Sequence, residues 1–489
     1  MGIFDLFKSS DLTQPTTSVA DKNTIHNLEL ILRDWLESDI RKEQLLAEKY
    51  YRGDHDILKR EKKVIGADGE LVTIHNVANN KLVDNQYRKL VDQKTNYVLG
   101  KPITIATEDD GYLESLNRIF NKKMHRKLRV LAQYSVDGGV SWLYPYYDEE
   151  SNFNIAVYPS YEVCPIWKDN EHTELDSGMR YYTEVVLGEN GRKDVIHRVE
   201  WITKEGIFNF IYRSGSLIPD KVPQISHINQ NGEGFNWERL PLIPFKYNHH
   251  EIPLIRNVKC LQDALNQVLS DFQNNMEEDP RTSILVLKNY DGTNIPEFRQ
   301  NLATYGVIKV TTVDGVQGGV ETLKVEVNAQ NYQAILMQLK RALVENGRGF
   351  DAKEERMDGD PNQMNIESMY TDIDLDVNCM ETEFQAGFEE LKWFIDKHLE
   401  HKDKVDHSEE PVEFVFNRDI FINEDSKINS CVQSVGILSQ KTLLSRHPWV
   451  TNVERELKEL EEDKQKELEE MEIMSAFNQP TGNNGGGAE

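Results

Sequence analysis

Residues 79–102, with the sequence NNKLVDNQYRKLVDQKTNYVLGKP, decide the fold of this chain. Gly100 ends the helix predicted in this stretch, Pro102 cannot continue it, and its Asn, Asp, Gln and Lys side chains indicate a polar contact on one side. The prediction rests on apolar side chains spaced mostly three or four positions apart, which places them on one helix face. These are Leu82, Val83, Tyr87, Leu90, Val91, Tyr97, Val98 and Leu99.

Helical spacing also precedes this stretch, beginning near Ile25 and ending in Tyr50-Tyr51-Arg52-Gly53-Asp54-His55. Gly53 has the capping position typical of a helix C-terminus. Two further helices are predicted over 112–120 and 125–136. From Gly139 to residue 247, apolar residues alternate with polar ones and turn residues separate the runs, which predicts an antiparallel meander.

The second half of the chain is mainly helical. Helices are predicted over 254–276 and from Asn328 to Gly347, with strand-like runs at 283–288 and 305–313 between them. A charged, glycine-rich loop at 347–363 leads to a helix of about 35 residues from Ile366 to Leu399. A strand at 412–418, short helices at 424–436 and 439–445, and an acidic helix at 451–474 complete an α+β chain.

Composition limits the function. Among 489 residues, 83 are acidic and 56 basic, giving a formal net charge of −27. A protein that grips duplex DNA normally has a basic footprint, because phosphate contacts supply most of its affinity. We therefore expect a protein that does not bind nucleic acid tightly. No apolar run approaches the ~20 residues that span a bilayer, so no membrane partner is expected.

Motifs of catalysis and cofactor binding are missing from the sequence. It contains no GxxxxGK[ST] loop, GxSxG elbow or HExxH pair. The four cysteines, at 164, 260, 379 and 431, form no CxxC pair, which argues against a zinc ribbon. We expect no catalytic residues, no metal and no cofactor.

Two groups of side chains leave a metal site open as an alternative. Asp372, Asp374, Asp376, Asn378 and Glu383 have the spacing of a calcium loop, although Val377 stands where that loop needs glycine. Their helical stripe favours a solvated helix face instead. The run 249–251, His-His-Glu, resembles part of a metal site, but loop residues before a helix explain it equally simply.

Two other groups suggest contact with nucleic acid. A basic cluster, Lys122, Lys123, Arg126, Lys127 and Arg129, fits phosphate binding, a solvated helix face, or ion pairs with an acidic neighbouring subunit. The charge balance favours the last two. Trp142, Tyr144, Tyr146 and Tyr147 fit base stacking, but in an antiparallel sheet such residues more often form core or interface.

The sequence resembles phage portal proteins, in particular those of tailed phages that infect Gram-positive bacteria. The runs YYRGDHDIL and 79–102 are similar to the N-terminal signature of that family. The passages 125–150, 258–292, 364–395 and 436–463 resemble later parts of it in the same order. The order and spacing of these passages, rather than one motif, make the resemblance.

The resemblance implies the portal fold, with a mixed α/β wing, a two-helix stem, a small α/β clip, a long spanning helix and a helical crown. The implied boundaries are a disordered N-terminus at 1–23, a wing at 24–252 with 364–420, stem helices at 253–279 and 329–347, a clip at 280–328, a tunnel loop at 348–363, a crown at 421–474 and a disordered tail at 475–489.

The resemblance also implies a ring of twelve copies at one capsid vertex, assembled in the host cytoplasm. Double-stranded DNA would pass through it transiently, and the partners would be the major capsid protein, the terminase large subunit and a head–tail adaptor. Arg348, Lys353 and Arg356 are the tunnel-loop residues predicted near DNA. The predicted stem helix faces consist of Val258, Leu261, Leu265, Val268, Phe272, Leu339 and Leu343.

Two rival functions remain. A metal-dependent hydrolase or nuclease would use His249, His250 and the carboxylates near 372. A filament or scaffolding protein would be built on the long helix. A ring with a central hole, seen by electron microscopy, separates the portal from both.

Overall fold

The computed structural model describes residues 12–13, 22–65, 69–73, 78–148, 150–187, 193–230, 233–278, 284–288, 319–323, 329–350, 363–418, 424–447, 449–450, 453 and 456–466. The chain divides into two compact units. The first consists of Met1–Asp351 and Asp372–Asp419, and the second of Ala352–Thr371 and Ile420–Glu489.

The described helices follow the predicted order. They are α1 (Lys22–Glu37), α2 (Asp39–Arg52), α3 (Gln86–Leu99), α4 (Asp110–Ile119), α5 (Lys122–Gly138), α6 (Ile255–Glu278), α7 (Ala329–Asn346), α8 (Gln363–Asp403), α9 (Glu424–Gln433), α10 (Gln440–Arg446) and α11 (456–466). No helix of the described residues is long and apolar enough to cross a membrane.

The predicted end of α2 is confirmed, whereas the predicted start of α3 is corrected. Gly53 follows α2 with φ of 92°, the left-handed conformation that glycine adopts without strain. Helix α3 begins at Gln86 rather than near Leu82, because the side chain of Asn85 accepts a hydrogen bond from the Arg88 N–H at 2.9 Å and caps it. The residues before Asn85 therefore belong to a separate non-helical segment.

The described strands are β1 (Leu12–Thr13), β2 (Lys63–Ile65), β3 (Leu71–Thr73), β4 (Thr104–Ala106), β5 (Val140–Tyr147), β6 (Phe153–Pro159), β7 (Val163–Trp167), β8 (Leu175–Leu187), β9 (Lys193–Thr203), β10 (Gly206–Arg213), β11 (Ser216–Ile225), β12 (Ile228–Gln230), β13 (Glu233–Trp237), β14 (Ile243–Lys246), β15 (Ile284–Lys288), β16 (Gly319–Leu323) and β17 (Glu413–Val415). All of their pairings are antiparallel.

The single meander expected over 139–247 is wrong, because these strands belong to three sheets. Strands β7 to β11 form one five-stranded sheet in sequence order, β14-β5-β6 form a second, and β1-β13-β12 a third. Turn residues mark strand ends, but the return of β14 to pair with β5 is a long-range choice that local spacing does not encode.

Among the described residues, two apolar clusters pack against the five-stranded sheet and the β14-β5-β6 sheet. Leu28 and Leu32 of α1 pack on the five-stranded sheet, against residues that include Met179, Val199 and Phe210. Trp142, with no exposed surface, lies in the second cluster. The interpretation of the aromatic strands as core is therefore confirmed for Trp142 and for Tyr144, which is 7% exposed.

Helix α8 is 41 residues long, somewhat longer than predicted. In the first unit its buried stripe includes Val377, Phe384 and Phe388. The Phe245 ring centroid lies 5.1 Å from that of Phe384, and a Cβ at Gly387 would come within 2.9 Å of the Phe245 ring, so a larger residue there would displace the ring. Strand β17 then returns to pair with β4, which the sequence did not predict.

The predicted 280–328 segment lies largely outside the described residues. Its described part is the antiparallel pair of strands β15 and β16, in register from Ile284 opposite Leu323. The strand expected at 305–313, the C-terminal segment predicted to be disordered and most of the 348–363 loop also fall outside. Most of the N-terminal segment predicted to be disordered falls outside too, but its residues Leu12–Thr13 pair with β13. In the second unit, Ser439 caps α10 by accepting from the Thr442 N–H at 3.3 Å.

Candidate functional site

One side of α6 has a row of four buried amide and hydroxyl side chains, Gln262, Asn266, Ser270 and Asn274, none of them more than 1% exposed. Side chains four residues apart lie one above another on a helix, about 6 Å apart along its axis. Alternate residues of an extended chain are about 6.5 Å apart. This row, the polar ladder, therefore matches the backbone of an extended segment in spacing.

The segment before α3 and the first turn of α3 lie along the polar ladder and run antiparallel to α6. Each rung accepts a hydrogen bond from a backbone N–H, so the backbone of this segment is satisfied by side chains instead of a neighbouring strand. The donor–acceptor pairs are Asn80 to Asn274 at 2.6 Å, Leu82 to Ser270 at 3.0 Å, Asp84 to Asn266 at 3.0 Å and Tyr87 to Gln262 at 2.9 Å.

The ladder also holds the glycine-capped end of α2. The Asn266 amide donates to His55 Nδ1 at 2.8 Å, and His55 Nε2 lies 3.0 Å from the carbonyl of Tyr50. These partners fix a neutral imidazole with its proton on Nε2. Burial lowers the pKa of His55, in agreement with that state. Asn85 also donates to the Tyr50 carbonyl, at 2.8 Å, so both runs of the N-terminal signature meet here.

Asp84 connects the ladder to the next helix. Its carbonyl accepts from the Gln262 amide at 2.8 Å, while its carboxylate lies 2.8 Å from the Lys340 ammonium of α7. A single residue of the opening stretch thus contacts both α6 and α7.

Helix α3 holds the turn that follows α7. The Gln93 amide donates to the Phe350 carbonyl at 2.6 Å, and the Phe350 N–H donates back to Gln93 Oε1 at 3.3 Å. Gly347 and Gly349 pack against Leu90, and a Cβ at Gly347 would lie 2.6 Å from a Leu90 methyl carbon. The two glycines let this turn approach α3 closely.

Lys94 lies at the centre of the contact between α3 and the turn that follows α7. Its side chain has no exposed surface, and its ammonium donates to the Arg348 carbonyl at 3.1 Å and to the carboxylate of Asp376 on α8. The Tyr247 hydroxyl donates to the same carboxylate. Burial lowers the pKa of Lys94, and the charge of Asp376 opposes that effect. One buried cation therefore joins α3, the 347–350 turn and α8.

A second ion-pair group lies one turn further along α3. The Tyr97 hydroxyl donates to Asp374 at 2.6 Å, and Arg418 contacts Asp374 at 2.6 Å and Glu381 at 2.8 Å. The bonds to Glu381 raise the pKa of Arg418, so its charge is permanent. We call Gln93, Lys94, Tyr97, Asp374 and Asp376 the root cluster. It fixes the positions of the turn and of α8, and its side chains act as ties rather than as reacting groups.

The predicted loop residues are placed only in part. Arg348 has φ of 47°, a left-handed conformation unusual for a side-chain-bearing residue, and its guanidinium is 58% exposed and 3.6 Å from Asp376. Lys353 and Arg356 lie outside the described residues. The role of the three near DNA stays a prediction.

The residues of the predicted stem helix faces differ in burial. Val258, Leu265 and Leu343 are fully buried, whereas four others are half-buried, namely Leu261, Val268, Phe272 and Leu339. The Phe272 ring lies 5.0 Å from the Tyr332 ring, so part of the α6 face packs on α7.

The calcium-loop alternative does not hold, because its residues lie on the continuous helix α8. The solvated-face interpretation is also wrong for Asp374 and Asp376, which form the ion pairs described above. Around the predicted His pair, Glu251 instead pairs with Lys246 at 3.0 Å and with His172 at 3.0 Å. Within the described residues, no three His, Cys, Asp or Glu side chains are placed to hold a metal ion.

Sequence reasoning missed the polar ladder and the root cluster. A signal for the ladder was present in the repeated spacing of four between Gln262, Asn266, Ser270 and Asn274. A periodicity search that counts apolar residues passes over it. The root cluster left no local signal, since its members on α3 and its members on α8 are separated by more than 250 residues along the chain.

Comparison with known proteins agrees with the resemblance described above. The family model for "Phage portal protein, SPP1 Gp6-like" matches residues 37–470. A portal protein of Bacillus phage SPP1 is 28% identical over 423 residues, which is 85% of this chain and 82% of the relative. A portal protein of Clostridium phage phiCD119 is 27% identical over 426 residues, covering 85% of this chain and 91% of the relative.

Proposed function

This chain belongs to the SPP1 Gp6-like family of phage portal proteins, and from that membership we propose how it works. Identical copies form a closed ring, of twelve by family resemblance, at one vertex of the capsid. Double-stranded DNA enters and leaves through its channel. The observation that carries the proposal is the family match, which spans 37–470 and includes the polar ladder and the root cluster.

Charge supports a channel that does not grip its cargo. Each copy has a formal net charge of −27, so a ring concentrates negative charge around the DNA. Negative walls repel phosphates and disfavour tight binding sites along the channel. The duplex therefore slides through the channel, and only a few cations, such as Arg348, contact its phosphates transiently.

The domain assignment is part of the proposal. Helices α6 and α7 form the stem, 280–328 the clip, 348–363 the tunnel loop and 421–474 the crown, with 24–252 and 364–420 in the wing. The root cluster supports this assignment, because it ties the end of α7 and the start of the loop to α8 at one place.

The partners follow from the same assignment. The terminase large subunit docks at the clip and hydrolyses ATP, a head–tail adaptor later takes its place, and the major capsid protein surrounds the wing. The protein, a structural component of the virion, performs no chemistry of its own. It assembles in the host cytoplasm before it enters the capsid.

Negative-stain electron microscopy of the purified chain tests the proposal. We expect rings with a central hole wide enough for a duplex of about 20 Å. Mass photometry of the same sample gives the number of copies. Fibres would support the scaffolding alternative, and monomers at micromolar concentration that cleave DNA with added Mg²⁺ would support the nuclease alternative. Either result contradicts the portal proposal.

A further inference from the structure

A cavity of about 320 Å³ between α3 and α5 has an unusual charge balance. One wall is the face of α5 that presents Lys122, His125, Arg126 and Arg129 at helical spacing. The opposite wall consists of Tyr51, Asp92, Thr95 and Asn96. We call this cavity the cationic pocket.

The cations of the pocket have no acidic partner in the described part of the chain. Arg129 donates to the neutral amide oxygen of Asn96 at 2.5 Å, and neither Lys122 nor Arg126 reaches a carboxylate. These three cations lie within eight residues of one helix, so their charges are concentrated on one wall of the pocket. Helix α5 also begins here, capped by Asn121, and its N-terminus adds partial positive charge.

The side chains of the opposite wall do not neutralise the positive charge of α5. Its acid, Asp92, is already engaged by the Tyr51 hydroxyl at 2.8 Å and by Arg88 at 3.5 Å. Thr95 is 6% exposed, and its hydroxyl has no hydrogen-bond partner among the described residues. A buried hydroxyl without a partner is costly. The pocket therefore combines three unpaired cations with a polar wall, as an oxyanion site does.

The size of the pocket and the overall charge select the occupant. A cavity of about 320 Å³ accepts one side-chain head group, whereas a duplex needs an open basic track along which its phosphates lie. In a cyclic ring, one face of a copy meets a different face of the next. Each copy has 83 acidic and 56 basic side chains, so a carboxylate is the more abundant charged group that a neighbouring copy offers to a basic patch.

We propose that the cationic pocket binds a carboxylate side chain of the neighbouring copy and so forms part of the contact that closes the ring. This inference rests on the proposed ring and adds to it the chemistry and location of one subunit contact. Charge complementarity of this kind fixes register and rejects wrong pairings.

Charge reversal tests the proposal in the full-length chain. The variant is Arg126→Glu with Arg129→Glu. The matched control is Lys204→Glu with Lys221→Glu, which makes the same charge change at two exposed cations, one in the turn after β9 and one on β11. Circular dichroism first establishes that both variants fold. In sedimentation velocity, we expect the pocket variant to need at least ten times more protein than wild type to form rings, and the control to match wild type.

A photo-crosslinker identifies the occupant. p-Benzoylphenylalanine replaces Val130, which lines the pocket and is 36% exposed. Illumination of wild-type-like rings should join two copies, and mass spectrometry should locate the second end in an acidic peptide of the same chain. Cross-links to added duplex DNA, or rings of the pocket variant at wild-type concentrations, would overturn the inference. Failure of wild type itself to form rings would instead refute the proposed function.

Discussion

At the scale of single residues, the buried cation Lys94 contributes strongly to the predicted stability. Its ammonium is fully buried and neutralises Asp376, whose side chain is 16% exposed. Removing one member of such a pair leaves the other charge without compensation. We expect Lys94→Met to lower the free energy of unfolding by about 3 kcal/mol, measured by urea denaturation.

Two comparisons separate the charge effect from lost packing. The exposed Lys49→Met should change the unfolding free energy by no more than about 0.5 kcal/mol. Adding Asp376→Asn to Lys94→Met should restore part of the loss, since the unpaired carboxylate is then gone. A cost below about 1 kcal/mol for Lys94→Met would show that the root cluster contributes little to stability.

Asp137 gives the chain a pH dependence that can be predicted in sign. It is 3% exposed at the end of α5 and accepts a hydrogen bond from the Tyr87 hydroxyl. Burial, with a smaller contribution from Glu48, raises its pKa from 3.8 to about 8 against the opposing effect of Tyr87. The folded state therefore holds a proton that the unfolded state releases above pH 4.

The stabilisation from this proton is complete below pH 3.8 and is lost as pH rises towards about 8. In that window, Asp137 should lower the unfolding free energy by up to about 1.4 kcal/mol per pH unit. Asp137→Asn should remove this slope, so that the variant gains stability relative to wild type as pH rises. Urea titrations at several pH values measure it, with exposed Asp54→Asn as control. Parallel curves for wild type and Asp137→Asn would contradict the assignment.

At the scale of elements, the polar ladder determines how the segment before α3 attaches to α6. Asn266 accepts from the Asp84 N–H and from Gln262, and donates to His55. Asn266→Ala leaves these buried groups unsatisfied and should lower the unfolding free energy by about 3 kcal/mol in a denaturation series. Ser270→Ala, which frees one N–H, should cost about 1–2 kcal/mol.

The neighbouring residue provides the control for this series. Gln267 is exposed on the same helix, one residue from the ladder, and Gln267→Ala should change the unfolding free energy by less than about 0.5 kcal/mol. Equal effects at Asn266 and Gln267 would mean that the ladder contacts add nothing beyond general helix packing.

The elements themselves were largely predictable, and their pairing was not. The spacing of apolar residues located α6, α7 and α8, since a helix face repeats every three or four positions whatever it contacts. The pairing of β4 with β17 joins residues about 300 positions apart, and nothing local in either strand specifies the other. The ladder escaped prediction for a different reason: its buried face is polar, whereas burial is ordinarily inferred from apolar residues.

At the scale of the whole molecule, family and charge were accessible from sequence while the site was only partly so. The net charge is a sum over the residues, and the family is recognised from passages that occur in a fixed order along the sequence. Neither property requires knowledge of the tertiary contacts. The cationic pocket shows the limit. Its basic wall was visible as the 122–129 cluster, but the facing wall, with Thr95 and Asn96, became known only once α3 packed against α5.

The loop after residue 350 can be changed without changing the turn that attaches it to α3. Residues 347–350 are fixed on α3 by Gln93, Lys94 and Leu90, so a change that begins after them leaves these contacts intact. We expect replacement of residues 351–361 by a short Gly-Ser linker to preserve folding and ring formation. If the loop is the tunnel loop, the same variant should package at least tenfold less DNA, measured as nuclease-resistant DNA in procapsids with terminase and ATP. If the variant formed no rings, residues 351–361 would be needed for assembly. If it packaged DNA at the wild-type level, the loop would have no role in DNA handling.

Lys94→Met is the informative comparison, because it weakens the attachment of the loop to α3 and keeps every loop residue. Reduced packaging by that variant in intact rings would mean that the position of the loop matters as well as its presence.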